Sequence, residues 1–134
     1  MLGEHIGEFR GQSIGTRVLP DEGRGPRMEV TDHGHGTLYG VPVSRTVTYM
    51  SVMRPNGTIT AEGTGMVTSE TGDTATFRGF GVGRFVGAGA SSWRGTMIFE
   101  TESEKLAGLN GIAVLFEFEV DASGKSEGNF TEWK

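Results

Sequence analysis

Turn signals cut this chain at short, fairly regular intervals, and that spacing leaves no room for a long helix. Leu19-Pro20-Asp21-Glu22-Gly23-Arg24-Gly25-Pro26 is a loop by composition. Arg54-Pro55-Asn56-Gly57 holds the Asn-Gly pair that suits the left-handed positions of a tight hairpin. Thr71-Gly72-Asp73 and Asp121-Ala122-Ser123-Gly124-Lys125 are further hairpin candidates. The segments between them are rich in Thr, Val, Ile and aromatic residues, which fit a pleated, half-buried surface. Strands are expected near residues 5–18, 27–37, 39–53, 58–69, 74–85, 91–101, 111–120 and 126–133.

Alternation supports this reading, because side chains two apart in a strand share a face. Ile112, Val114, Phe116, Phe118 and Val120 form one apolar face, with Glu117 and Glu119 opposite. Ile59, Ala61, Gly63, Gly65 and Val67 alternate with Thr58, Thr60, Glu62, Thr64 and Thr68. Only residues 103–111 read as helical, for one or two turns, with Ser103 as N-cap and Gly108 or Gly111 as the stop. With no long helix to cover it, the sheet must bury its apolar face against itself. The expected fold is all-β: one domain over residues 1–134, an antiparallel barrel of about eight strands closed on itself, with one short helical turn. The 23 glycines, more than twice the ordinary share of ~7%, are spread through the strands, where they provide the bends and close approaches a small barrel needs.

Composition removes whole classes of function. Seventeen acidic against 12 basic residues, with no basic run, argue against nucleic-acid phosphate or an anionic membrane surface as a partner. The absence of cysteine removes disulfides, a thiol nucleophile and thiolate metal sites. The first residues lack the basic and apolar regions of a secretory signal, so the cytoplasm is the expected compartment.

The run Gly79-Phe80-Gly81-Val82-Gly83-Arg84, the segment from Ser103 to Gly111 and the pair Trp133-Lys134 together resemble a group of short bacterial proteins of unknown function. Those are similar in layout to the allene-oxide-cyclase-like barrels. The resemblance implies an eight-stranded barrel with an internal cavity and, often, a self-associating subunit. Relatives on that barrel cyclise fatty-acid epoxides or polyketide-like substrates, but none of their catalytic residues aligns to a position here.

Gly79, Gly81 and Gly83 imitate a dinucleotide-binding pattern, yet Arg84-Phe85-Val86-Gly87 after them cannot start the helix that pattern requires. Large neighbours such as Trp93, or a bend, account for them better. His33 and His35 share a face if extended, but two imidazoles are too few for a metal site, and no metal or cofactor is expected. No Gly-x-Ser-x-Gly elbow or phosphate loop occurs.

An inward charge in a small barrel must be paired or must serve a ligand, and Glu62, Arg78, Arg94, Glu117, Glu119 and Glu132 are the strand residues weighed for that role. Tyr39, Tyr49, Trp93 and Trp133 have the amphipathic character of a pocket wall, and Met50, Met53, Met66 and Met97 could line an adaptable cavity. The leading expectation is a lumen that binds an apolar or amphipathic small molecule through Tyr49, Trp93 and Met97. The alternative is a cofactor-independent cyclase or isomerase, with Glu62 as acid or base and Arg78 or Arg94 stabilising negative charge. A structural or interaction module is the third reading.

Overall fold

The computed structural model describes residues 1–134. Eight antiparallel strands close into a barrel in sequence order: β1 (Leu2–Leu19), β2 (Arg27–Leu38), β3 (Val41–Met53), β4 (Thr58–Ser69), β5 (Thr74–Gly87), β6 (Ala90–Thr101), β7 (Ala113–Val120) and β8 (Lys125–Trp133). Neighbouring strands pair along the chain, and β1 then pairs with β8 from Leu2↔Trp133 to Gln12↔Lys125 to seal the ring. No helix is long and apolar enough to cross a membrane.

The expected turns are where the chain reverses. Gly57, Gly72 and Gly124 all adopt positive φ, as tight hairpins require. Tyr39 does so as well, at φ 50°, ahead of Gly40, and this two-residue turn joins β2 to β3.

The residue alternation sets the two faces of the wall. Phe9, Leu38, Val43, Val67, Phe77, Phe99, Val114 and Phe130 point inward and are buried. Phe9, Phe130 and Phe118 form an edge-to-face chain across the interior, with centroids 5.1 and 5.6 Å apart. The link between β6 and β7 holds a single 3-10 turn, Ala107–Leu109, and its Leu106 and Leu109 are fully buried in the core cluster. This link shares one end of the ring with the β2–β3 and β4–β5 hairpins.

Ser103 is not the cap of that turn. Leu106 occupies the capping position without a side-chain bond, while the Ser103 hydroxyl donates to Asp73 Oδ1 at 2.7 Å. The acceptor across the loop draws the hydroxyl away and ties the β6–β7 link to the β4–β5 hairpin.

Candidate functional site

The interior is only partly filled. A cavity of about 110 Å³ lies among Val47, Tyr49, Phe77, Trp93, Met97, Phe116 and Phe118, with Asp32, Arg45 and Ser126 as its polar lining. Glycine makes the space for its largest wall. A Cβ on Gly83 would lie 2.7 Å from the Trp93 ring, so only glycine at this position lets the indole lie flat on β5. Trp93 Nε1 donates to Ser91 Oγ at 2.9 Å, and its ring lies 6.1 Å from that of Tyr49.

The polar lining is a buried ion pair. On β3, Arg45 falls in the inward series Val43, Arg45, Val47, Tyr49, and on β2 Asp32 sits directly opposite Val47. Arg45 Nη2 donates to Asp32 Oδ1 at 2.9 Å, and Ser126 Oγ donates to Asp32 Oδ2 at 3.1 Å. The side chains of Arg45 and Asp32 are only 6% and 7% exposed, so Coulomb attraction must offset a large desolvation cost. Two aromatic rings help: the guanidinium carbon is 5.1 Å from the Phe9 centroid and 4.9 Å from that of Phe118. Gly11 leaves room for the carboxylate, since a Cβ there would come within 2.4 Å of Asp32 Oδ1.

Two donors at the cavity are unspent. Arg45 Nε is fully buried without a hydrogen-bond partner. Burial pushes the Tyr49 phenol up to about 12, the Asp32 charge adds to the rise, and Arg45 opposes it. Tyr49 is therefore a neutral hydroxyl at physiological pH.

Tyr49, Trp93 and Met97 all line the cavity. Glu62, Arg78 and Arg94 do not project into it: their positions alternate with the inward ones, and all three are exposed on the outer wall, with Glu62 bordering the cavity only at the wall itself. Arg94 instead pairs with Glu117 and Glu119 across the outer surface, at 3.1 and 3.2 Å. The lumenal alternative for those two glutamates is thereby corrected, since Val114, Phe116, Phe118 and Val120 take the inward face.

Tyr39 and Trp133 also lie away from the cavity. Tyr39 donates to Glu132 Oε1 at 3.0 Å, and Trp133 is half exposed. Met53 and Met66 are exposed and Met50 accepts from Arg27 Nη2 at 3.8 Å, leaving Met97 as the methionine of the cavity wall. His33 and His35 lie on the exposed face with ring centroids 5.5 Å apart, and His33 Nδ1 is bonded to Thr46 Oγ1. Asp32, Arg45 and Ser126 are the polar residues sequence reasoning missed. The signal for Arg45 was available in its alternation with Val43 and Val47.

These features define a closed eight-stranded antiparallel barrel with a small polar-bottomed lumen. Three solved structures share that architecture. A β-barrel-like protein from Acinetobacter baumannii superposes with a TM-score of 0.84 at 14% identity, over 100% of this chain and 96% of its own. A protein with unknown function from Clostridium acetobutylicum gives 0.83 at 13% identity, over 98% of each chain. A conserved protein of unknown function from Rhodopseudomonas palustris gives 0.82 at 14% identity, over 98% of this chain and 97% of its own. At these identities the likeness is one of fold. No family model matches the chain, and no curated protein matches it significantly.

Proposed function

We propose that the protein binds a small, largely apolar molecule in the lumen of its barrel. The observation that carries this reading is the cavity of about 110 Å³ walled by Tyr49, Phe77, Trp93, Met97 and Phe118. A protein interior is ordinarily packed without voids of this size. An engineered cavity of roughly 150 Å³ accepts benzene, which puts the capacity here at one small ring or a short chain. Fatty-acid and polyketide skeletons exceed that capacity.

The test is a screen of small cyclic compounds by amide chemical-shift mapping. Shifts confined to the residues that line the cavity support the reading. A library of such rings that leaves those amides unmoved overturns it.

The cyclase or isomerase reading draws support from one observation: Arg45 and Tyr49 offer hydrogen-bond donors to an oxygen that gains negative charge during a reaction. Its catalytic groups are then these two, in place of Glu62, Arg78 and Arg94. Unchanged turnover in Tyr49→Phe, measured on a substrate found by the screen, would remove it.

A further inference from the structure

The polar end of the lumen has an unequal count of donors and acceptors, and the inequality bears on what fits there. Both carboxylate oxygens of Asp32 are engaged, one by Arg45 Nη2 and the other by Ser126 Oγ. On the donor side, Arg45 Nε is fully buried and has no partner, although it belongs to a side chain that lines the cavity. A buried donor without an acceptor forfeits the hydrogen bond it made to water in the unfolded chain. Tyr49, four residues along the same inward face of β3, adds a second donor, a hydroxyl whose raised pKa arises from burial and nearby charges, with no hydrogen bond contributing. What is missing is an acceptor.

Charge narrows the class. Asp32 already neutralises Arg45 at 2.9 Å, so the pair carries no net charge. A carboxylate brought into the lumen would be a third buried charge beside Asp32, without a counterion of its own. A hydrocarbon would leave both donors empty. A neutral carbonyl oxygen satisfies them without adding charge.

Building on the lumenal-binding reading, we propose that the occupant is a small neutral carbonyl compound, such as a cyclic ketone or lactone, whose oxygen accepts hydrogen bonds from Arg45 Nε and Tyr49 Oη while its ring packs against Trp93, Phe77 and Met97.

The experiment uses three probes of equal ring size: cyclohexanone, methylenecyclohexane, which replaces the oxygen by CH2, and cyclohexanecarboxylate. Trp133→Phe leaves Trp93 as the sole indole of the two in the chain, so fluorescence reports on the cavity wall, with amide shifts as a second readout. Tyr49→Phe is expected to weaken cyclohexanone roughly three- to tenfold, the value of one hydrogen bond, and to leave methylenecyclohexane unchanged. Cyclohexanecarboxylate is expected to bind at least about tenfold more weakly than the ketone, and Asp32→Asn, which frees the Arg45 charge, to reverse that order. Equal responses of ketone and alkene to Tyr49→Phe, or a wild-type preference for the carboxylate, would overturn the carbonyl assignment and leave lumenal binding standing. Failure of all three probes to bind, with no smaller ring bound in the amide-shift screen, would overturn both. Tyr49→Phe removes one hydroxyl, so the result does not hinge on whether Asp32→Asn folds.

Discussion

Arg45 donates to Asp32 across 2.9 Å inside the barrel, where both side chains are almost wholly shielded from water. Removing one partner strands the other as a lone buried charge. Asp32→Ala is expected to cost about 3–5 kcal/mol of stability, whereas replacing both by apolar residues of similar size, Asp32→Leu with Arg45→Met, leaves stability unchanged or raises it by up to about 4 kcal/mol. Urea unfolding of the single and double variants measures the difference.

Gly83→Ala tests how tightly the cavity wall is built. The added methyl would meet the Trp93 ring at 2.7 Å, so the indole must shift or the strands must part. A loss of about 1–3 kcal/mol is expected, with an altered Trp93 emission spectrum, because overpacking forces neighbours off their preferred positions.

Leu109 is fully buried in the core cluster and does not line the cavity. Leu109→Ala is expected to lower stability by about 2–5 kcal/mol while leaving the affinity of any lumenal ligand unchanged. Calorimetric melting and a binding titration, run on the same variant, separate the two effects.

Hydrogen bonds from Ser103, Ser69 and Thr71 hold the Asp73 carboxyl well below the usual carboxylate range. A carboxylate whose pKa is depressed on folding stabilises the fold above its unfolded value, near 3.9, and loses that contribution as pH falls through the lower folded value. Asp73→Asn should therefore flatten the decline of melting temperature between about pH 4 and pH 2, as thermal scans across that window would show.

Glu62, Arg78 and Arg94 lie on the outer wall. Alanine at Glu62 or Arg78 is expected to change stability by no more than about 0.5 kcal/mol. At Arg94 the loss of the exposed pairs with Glu117 and Glu119 adds at most about 1 kcal/mol. Lumenal binding, followed by Trp93 fluorescence, should be unaffected in all three.

The barrel was legible because its evidence is local. Asn56-Gly57 and Ser123-Gly124 mark reversals by their own backbone preferences, and β4 and β7 show their faces in strict alternation. The site was less legible because it depends on register between strands. Glu62 stands opposite the apolar series of β4 already in the sequence, whereas the outer position of Arg94 is fixed by its match to Glu117 across β6 and β7. Asp32 lies among glycines and histidines, and its importance appears only once β2 is set against β3 and Ser126 arrives from β8. The N-cap assigned to Ser103 failed similarly, since its acceptor, Asp73, is 30 residues away.

The seam between β1 and β8 joins strands at opposite ends of the sequence, and its register slips twice between Leu2 and Gly7. No hairpin can make that contact locally, so the chain must close a long loop before it can form. The hollow is thus a product of ring closure and vanishes whenever the ring springs open. Any guest held inside acts as a latch on that joint, opposing its opening by an amount that grows with the logarithm of the guest's concentration above its Kd.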